Sequence, residues 1–503
     1  MRYPKINSLF AAIIALACFL PEVGLFVDGD ILPKWYLFGL CLCAIVIRYG
    51  TGSHKDVFDL HIMKLSLIAV ASLVSIWAIA GSAFNGWIAA RGPFDNPAGL
   101  AMSLSCVLAL NMNNDRTGSG RINNWLKSVS AAIMAFAVIA SQSRCGIVAL
   151  MLIAASNIFQ YKRRFLWAGM VALLVSGTIG LSAKKSASTF GRAFILQQTW
   201  GMVAEHPLKG WGASGFERCY MLRQASFFEQ HPDSPAAMLA DDIHHPLCEY
   251  LLWWVDYGFA GLLAIIILLF YPVFKVQEKG LRLASILICW FAAASYPLHY
   301  PVVWLTIILS WGAIIRQAAS HILAKRTIGA SAAMIAIISC AGILVHAVTS
   351  FQLKQAEDAS FCHRHIKALR IYRRLEALQR HDPYYLYSYS RECYTVGQFE
   401  EALQLNNRCH RYWSNYDLEL LRGDILFHLE RYAEARQAYS LASSMCPVRF
   451  APLEGLMCIF EITGDSKRIK NIAEIVIKKP IKIPSPIIID IKKHAERIRQ
   501  EYP

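Results

Sequence analysis

The chain has 503 residues, of which 55% are hydrophobic and only 17% charged, and it carries a formal net charge of +15. So apolar a composition excludes an ordinary soluble enzyme. The positive charge does not indicate a nucleic-acid partner, because much of it lies in short loops between apolar segments. Basic residues are also not interleaved with aromatic ones, as they are in single-strand binders.

From the N-terminus to residue 348, apolar segments recur that approach the roughly 20 helical residues needed to cross a ~30 Å hydrocarbon core. We predict an all-α, polytopic transmembrane bundle of about eleven spans over residues 1–350. No small-residue cleavage site follows the first segment, so we expect an uncleaved first span. The predicted spans are Leu9–Phe26, Trp35–Ile47, Ile62–Ala80, Pro97–Asn111, Trp125–Ala140, Gly146–Phe159, Phe165–Leu181, Leu251–Phe274, Leu281–Tyr296, Val302–Ile315 and Ile328–Val348.

The basic residues predict the orientation of these spans. With a cytoplasmic N-terminus, basic clusters such as Lys162-Arg163-Arg164 fall in inside loops, as the positive-inside rule requires. The same orientation places a large loop, about residues 183–249, and everything after Val348 on the outer side. In a bacterium that side is the periplasm. The sequence therefore predicts a multi-pass inner (cytoplasmic) membrane protein with a periplasmic C-terminal domain.

Two short outward loops each carry an arginine. The segment Arg91–Gly99 contains Asn96-Pro97, a helix-start signal, so one interpretation is a cap at the entry of a span with an interfacial arginine. Arg144 ends the hairpin tip that begins at Ser141. An arginine in so short an outside loop runs against the positive-inside trend, which favours a functional role.

The large loop concentrates polar residues near its two ends. Its candidate functional residues are Arg192, Trp211, His244, His245 and Glu249. Paired histidines followed by a carboxylate could form a general-base site, a metal site or an interfacial cap. No third ligand stands at helical spacing, and no Cys–His cluster has zinc spacing, so we assign no metal and no cofactor.

From about residue 351 the chain changes character, because charged residues become frequent and apolar ones recur at helical spacing. A motif around Gly397 recurs around Glu430 and, more weakly, around Gly464. Steps of 33 and 34 residues are the period of tetratricopeptide repeats (TPR), which predicts a TPR-like α-solenoid over residues 351–503. An ordinary helical bundle is the alternative. The segment Pro480–Pro486 cannot be helical throughout and predicts a strap before a last short helix.

Four of these features occur in an order that resembles the O-antigen ligase and polymerase superfamily. Its members include lipopolysaccharide O-antigen ligases, Wzy-type polymerases and bacterial protein O-oligosaccharyltransferases. The similarity runs from about residue 90 to 315, and the repeats resemble an accessory domain of such proteins. The motifs are Gly92-Pro93-Phe94-Asp95-Asn96-Pro97, then Ser143-Arg144, then Arg192 ahead of His206-Pro207-Leu208-Lys209-Gly210-Trp211-Gly212, and last a closing motif at Glu249.

The closing motif departs from the family pattern. Registering Glu249 on the family places Leu247 where a histidine is usual, with His245 and His244 two and three residues earlier. Substitution of the missing histidine by His245 is the interpretation we favour. A base of another type, with Glu249 and Asp241 as the candidates, or loss of activity, stays open.

The resemblance implies a GT-C-like membrane fold, metal-independent glycosyl transfer with inversion, and membrane lipids around the spans. The donor would be a polyprenyl-diphosphate-linked glycan such as one on undecaprenyl diphosphate, and the acceptor a hydroxyl on lipid A-core, a glycan or a protein. The implied site residues are Arg192, Arg144 and Arg91 for the diphosphate, His245, His244 or Glu249 for the base, and Trp211 for the glycan.

Three functions compete. The preferred one is a lipopolysaccharide or surface-polysaccharide ligase or polymerase. The second is a protein O-oligosaccharyltransferase, because the stretch Trp253–Asp256 somewhat resembles that branch of the superfamily. The third is a non-catalytic membrane scaffold that binds a protein partner through the repeats. A transporter fits less well, because nearly all ionisable residues fall in loops rather than in mid-span.

Overall fold

The computed structural model describes residues 4–50, 60–111, 121–159, 186–318 and 326–502. Within these ranges the chain forms twenty α-helices and no β-strand, which confirms the predicted all-α class. The predicted span Phe165–Leu181 and the basic loop Lys162-Arg163-Arg164 lie outside the described residues. Inter-residue contacts divide the chain into two compact units.

The first unit comprises Met1–Lys184, Cys248–Tyr250 and Leu263–Lys354. Within the described residues, each segment that we predicted as a span overlaps a helix. These helices are α1 (Pro4–Cys18), α2 (Leu32–Gly50), α3 (Leu60–Phe84), α4 (Pro97–Asn111), α5 (Arg121–Ala140), α6 (Arg144–Phe159), α9 (Glu249–Lys275), α10 (Lys279–Ala294), α11 (Pro301–Ala318) and α12 (Arg326–Phe361).

Among the described helices, three are long and apolar enough to cross a membrane, judged by length and composition: Leu60–Phe84, Glu249–Lys275 and Gly329–Phe361. Five others are apolar but shorter, so the number of about eleven spans stays a prediction. The first predicted span, Leu9–Phe26, extends beyond the helix that the structure has there. Its helix ends at Cys18, because Pro21 has no N–H to continue the helical ladder.

Buried small and apolar side chains run along the whole of α4, whose described residues from Gly99 to Asn111 are all buried. It packs against α3, α5, α6 and α10. Its Gly99 has no room for a side chain, because a Cβ there would lie 2.5 Å from the Tyr300 ring. The segment therefore forms the centre of the first unit.

The second unit comprises Lys185–Leu247, Leu251–Leu262 and Gln355–Pro503, so it combines most of the predicted outward loop with the C-terminal region. Two helices come from the loop, α7 (Ser186–Glu205) and α8 (Gly215–Gln230). Eight follow in the C-terminal region: α13 (His365–Gln379), α14 (Pro383–Thr395), α15 (Phe399–Cys409), α16 (Tyr416–His428), α17 (Tyr432–Met445), α18 (Ala451–Thr463), α19 (Ser466–Lys478) and α20 (Pro486–Glu501).

The C-terminal helices pack in sequence order, and their turns recur at a regular interval. Gly397, Glu430 and Gly464, the three positions singled out from the repeat pattern, all lie between paired helices with positive φ angles of 79°, 60° and 70°. A fourth such turn at His363, with φ 56°, was not predicted. The strap before the last helix was predicted correctly, because α19 ends at Lys478 and α20 begins at Pro486.

One hydrophobic core joins the loop to the C-terminal helices within the second unit. Phe216, Tyr220 and Met221 of α8 are buried in the same cluster as Ala442 and Met445 of α17. Polar contacts also join the loop to the C-terminal helices. The buried Gln224 amide donates to the Met445 carbonyl at 2.7 Å, and Arg449 pairs with Asp241 at 2.7 Å. The C-terminal helices thus supply part of the core on which the loop folds.

Candidate functional site

The segment Arg91–Pro97 is anchored residue by residue in the first unit. Gly92 has a φ of +52°, which a residue without a side chain adopts readily. Phe94 is buried with its ring edge-on to Tyr300 at 5.5 Å. Asn96 caps α4, because its Oδ1 accepts the Gly99 N–H at 2.7 Å. The helix-cap interpretation is therefore confirmed for Asn96, while Arg91 at the head of the segment is exposed.

Two tyrosines that sequence reasoning did not single out complete this anchor. The Tyr300 hydroxyl donates to Asp95 Oδ1 at 2.8 Å. The Asn96 amide donates to the hydroxyls of Tyr296 at 2.6 Å and Tyr300 at 2.9 Å. The two segments involved lie 200 to 205 residues apart in sequence, so no local pattern could have found the contact. A weak signal was available in two prolines, Pro297 and Pro301, around the polar stretch between two apolar helices.

The structure brings the segments that carry Arg91 and Arg144 side by side. The Ala90 N–H donates to the carbonyl of Ala140, the last residue of α5, at 3.0 Å. The Gln142 amide donates to the Trp87 carbonyl at 3.3 Å. Arg144 is the half-buried first residue of α6, directly after this contact. Two of the three predicted diphosphate-binding arginines therefore lie on adjoining loops of one unit.

The surroundings of Arg91 include an acidic residue, Asp30, and a basic one, Lys34. Burial raises the pKa of Asp30, while the positive charges of Lys34 and Arg91 act against that rise. Lys34 itself is fully buried and lies over the Phe94 ring at 5.7 Å. The neighbourhood of Arg91 therefore carries both signs of charge, and its net field depends on the protonation of Asp30.

Glu249 also lies in the first unit, in contact with the turn between Tyr296 and Tyr300. It is the first residue of α9 and is only 4% exposed. Its Oε1 accepts the Leu298 N–H at 3.1 Å, and Leu298 lies in the short helical turn Pro297–His299 beside Tyr296 and Tyr300. A buried carboxyl with a backbone donor is well held in position, as a general base requires. Its predicted role as the base stays a proposal.

His299 in this turn is a further candidate base that the sequence analysis missed. Burial lowers its pKa, with the carboxylates of Asp95 and Asp28 acting in the opposite direction. A low pKa keeps the imidazole neutral at physiological pH, which is the form that can accept a proton. Its ring lies 5.5 Å from Tyr300, edge to face, next to the anchor of the Arg91 segment.

In the second unit, the segment His206–Gly212 hydrogen-bonds to α9 beside a break in that helix. The residue Gly258 has φ 64° and ψ −157°, which interrupts the helix. That break frees the carbonyls of Val255 and Asp256, which accept the N–H groups of Trp211 at 2.7 Å and Gly212 at 2.9 Å. Gly210 of the family-like motif is required for this close backbone approach, because a Cβ there would lie 2.5 Å from the Gly258 backbone nitrogen. Gly212 is favoured for a different reason, its φ of +88°.

Trp211, the predicted glycan-binding residue, has a packing role in this arrangement. Its ring is half-buried against the core of the second unit, and its Nε1 donates to the Met202 carbonyl at 3.0 Å. The His206 ring meets it edge-on at 4.4 Å. These contacts hold the aromatic face in a fixed orientation, and glycan binding by Trp211 stays a prediction.

The two histidines of the loop differ in their surroundings. His244 is exposed, with its Nε2 3.7 Å from Asp242 Oδ2 and its ring 6.0 Å from Trp413. Burial raises the pKa of both Asp242 and Glu217, and the charge of His244 acts against each rise. His245 is half-buried. Carboxyl groups of Asp242 and Glu217 therefore lie close to His244.

Leu247 occupies the position where the resemblance leads one to expect a histidine. It has a positive φ of 57° and packs against the hydrophobic core of the second unit. A leucine side chain has no proton-accepting atom, so this position supplies no base. The base must come from another residue or be absent.

Arg192 is an exposed residue of α7 in the second unit, whereas Arg91 and Arg144 belong to the first. Its neighbours Phe194 and Ile195 are buried, which fixes the face that α7 turns to the core. Arg192 therefore projects from a helix whose opposite face is packed.

Among the described residues, one group of His, Cys and acidic side chains converges closely enough to hold a metal ion: Glu454, Cys458 and His494. It contains none of the predicted site residues. No metal was predicted from the sequence, because Cys458 and His494 are 36 residues apart and form no motif.

Residues 129–266 match a family model, Wzy_C, described as O-antigen ligase. The matched stretch contains Arg144, Arg192, both loop histidines and Glu249, and it ends before the C-terminal helices. No curated protein matches the chain in sequence. The match supports the O-antigen ligase superfamily and, with it, a glycosyltransferase-like activity at a membrane.

Proposed function

We propose that this chain is a membrane glycosyltransferase of the O-antigen ligase type. It transfers a glycan from a polyprenyl diphosphate to an acceptor hydroxyl on the periplasmic face of the inner membrane. The observation that carries the proposal is the match to the ligase model over residues 129–266, the stretch that holds most of the candidate residues. The remaining apolar helices would complete about eleven spans, with the N-terminus in the cytoplasm.

In the proposed reaction the acceptor oxygen attacks the anomeric carbon of the glycan while a base removes its proton. The bond from that carbon to the diphosphate oxygen breaks, its electron pair stays on the diphosphate, and the sugar centre inverts. Cations must stabilise the charge that grows on the departing diphosphate. Guanidinium groups suit this role, since they stay charged and bind phosphate oxygens in pairs. We assign it to Arg192, Arg144 and Arg91.

For the base we retain His245, His244 and Glu249. His244 gains support from the nearby carboxyls of Asp242 and Glu217, because a carboxylate can orient an imidazole and stabilise its charged form. Glu249 gains support from its burial and its fixed hydrogen bond to Leu298 N–H. The repeat-like C-terminal helices, which we propose to be TPR-like, would support the loop and bind a protein partner or the acceptor.

The test is the glycan profile of a deletion strain complemented with wild type, Arg192→Ala, His244→Ala, His245→Ala or Glu249→Gln. Lipopolysaccharide, glycoproteins and the polyprenyl-linked pool are compared. Loss of long glycan with a build-up of lipid-linked polymer supports a ligase, and single-repeat caps support a polymerase. Loss confined to glycoproteins supports the protein O-oligosaccharyltransferase. Unchanged pools in the deletion strain would contradict the enzymatic proposal.

One observation favours a second candidate, the non-catalytic scaffold. Leu247, at the position of the usual histidine, is partly buried against a hydrophobic core. A scaffold should tolerate Arg192→Ala, whereas an enzyme should not. Complementation by that variant, at the protein level of the wild type, would therefore favour the scaffold over the transferase.

A further inference from the structure

Two of the C-terminal helices bring four potential metal ligands together. Glu454, Cys458 and Glu461 follow one another at spacings of four and three residues on α18, which places them along one face of the helix. His494 comes from α20, and α18 and α20 are in contact. The group therefore combines a thiol, an imidazole and two carboxyls from elements about 35 residues apart in sequence.

The imidazole lies between the two carboxyls. His494 Nδ1 is 2.7 Å from Glu454 Oε1, and its Nε2 is 3.2 Å from both oxygens of Glu461. One ligand atom each from Glu454, Cys458 and His494 lies within 4.8 Å of the others. In zinc sites the ligand atoms lie about 2.0–2.3 Å from the ion, so a side-chain movement of roughly 1 Å would bring these three into range.

An unpartnered oxygen points to a ligand. Glu454 Oε2 is buried, and within the described part of the chain no hydrogen-bond donor reaches it. A buried carboxylate oxygen without a partner is costly, and a cation would remove that cost. Arg497 Nη2 lies 3.9 Å from Glu461 Oε1, one of the two oxygens that face His494.

We propose that Glu454, Cys458 and His494 bind a zinc ion through a carboxylate oxygen, the Sγ and the Nδ1, with water as a fourth ligand. Glu461 then accepts the Nε2–H of His494 and fixes the orientation of the ring, as carboxylates commonly do behind metal-bound histidines. The Cys458 thiol loses its proton to solvent when the ion binds, so the thiolate is the ligand.

The ligand set selects for zinc. Thiolate and imidazole ligands favour Zn²⁺ over Mg²⁺ and Ca²⁺, which take oxygen ligands. Once bound, the ion would fasten α20, the last helix, to α18 across the strap at Pro480–Pro486. Because the ion would bind the folded but not the unfolded chain, zinc should raise the melting temperature of the C-terminal helices.

Cadmium, which absorbs in the ultraviolet when bound to thiolate, makes the site visible. The purified full chain in detergent, kept reduced, is titrated with Cd²⁺ and then with Zn²⁺. Wild type should show the thiolate–cadmium absorption, and Zn²⁺ should displace it. The band should be absent in Cys458→Ser and His494→Gln. A matched control is Cys362→Ser, which removes an exposed cysteine beside His363 and His365 and should keep the band.

A second variant separates the positioning residue from the ligands. Glu461→Gln should keep the cadmium band but weaken zinc affinity by roughly tenfold, because it alters only the partner of the ring. Helical circular dichroism in chelator shows that each variant is folded. No band in folded wild type, or an equal band in Cys458→Ser, would overturn the site. Loss of the band in Cys362→Ser would assign the metal to the other cysteine and overturn it as well.

Discussion

At the scale of single residues, the family-like motif around Asn96 shows what local sequence can and cannot predict. The helix start at Asn96-Pro97 was predictable, because capping depends on neighbouring residues alone. The partners Tyr296 and Tyr300 were not, since they approach from 200 residues away. The motif residues Gly92, Phe94 and Asn96 serve the fold, whereas Arg91 is exposed.

The proposed role of Arg192 predicts a large loss of activity on its removal. We expect Arg192→Ala to lower glycan transfer by about 100-fold or more, as removal of one stabilising donor at a developing charge commonly does. Arg192→Lys should recover part of that loss, since it keeps the charge but not the paired geometry. The rate of lipid-linked glycan consumption in membranes measures both. Arg374→Ala, an exposed arginine of the C-terminal helices, is the control and should have wild-type activity.

Glu419 predicts a pH dependence of stability. It is 2% exposed, and burial raises its pKa to about 7, with Arg422 acting against the rise. Because the folded chain holds this proton more tightly than the unfolded chain, its contribution is complete below the ordinary pKa of 4.5. That contribution is lost as the pH rises through 7.

The variant Glu419→Gln should therefore be more stable than wild type at pH 8, by about 2–3 kcal/mol for the second unit, and gain little at pH 5. Melting of the full chain in detergent across this pH range measures the difference. His410, whose pKa burial lowers to about 4, is present in both proteins and does not affect the comparison at pH 8. Glu434→Gln, on the surface, should show no such pH-dependent gain. An equal gain at both pH values would contradict the assignment.

At the scale of elements, the repeat pattern predicted where helices turn but not every turn. Gly397, Glu430 and Gly464 were found because similar residues surround them at steps of 33 and 34. The fourth turn, at His363, was hidden because α12 runs without a break from the apolar segment at Arg326 to Phe361. Sequence alone gives no sign there that a membrane-type helix ends in a repeat-type turn.

The break in α9 gives an element-scale prediction. At Gly258 a Cβ would lie 2.7 Å from the carbonyl carbon of Lys209, and the φ of 64° is strained for any side chain. We expect Gly258→Ala to destabilise the loop by at least about 2 kcal/mol and to increase its cleavage by protease. Gly312→Ala, in the interior of α11 with open space around it, is the matched control and should have no such effect. Equal protection of both variants would contradict the prediction.

At the scale of the whole molecule, the sequence predicted a large loop and a C-terminal helical domain as separate features. The structure places the loop residues Lys185–Leu247 and the C-terminal residues Gln355–Pro503 in one compact unit. This association depends on contacts such as the hydrogen bond from the Gln224 side-chain amide to the backbone carbonyl of Met445, 221 residues away. It also depends on burial that no periodicity encodes. Periodicity finds the apolar face of a helix but not the face it meets.

This shared core predicts that the C-terminal helices are needed for the loop to fold. Deletion of residues 362–503 removes Tyr416, Ala442 and Met445 from the cluster that buries Phe216 and Tyr220. We expect α8 to lose its protection from hydrogen exchange and the activity to disappear. Deletion of residues 484–503, which removes only the last helix, should leave α8 protected. Full protection of α8 in the longer deletion would show that the loop folds alone.

The central claim is transfer from a lipid-linked glycan, and the most direct measurement supplies purified chain to membranes of its own deletion strain. These membranes contain both the unused donor and the natural acceptor, whatever its identity. Mass spectrometry should show wild-type protein consuming the polyprenyl-linked glycan and releasing polyprenyl diphosphate, while Arg192→Ala leaves the donor in place. An unchanged donor pool with folded wild-type protein, or equal consumption by Arg192→Ala, would contradict the account.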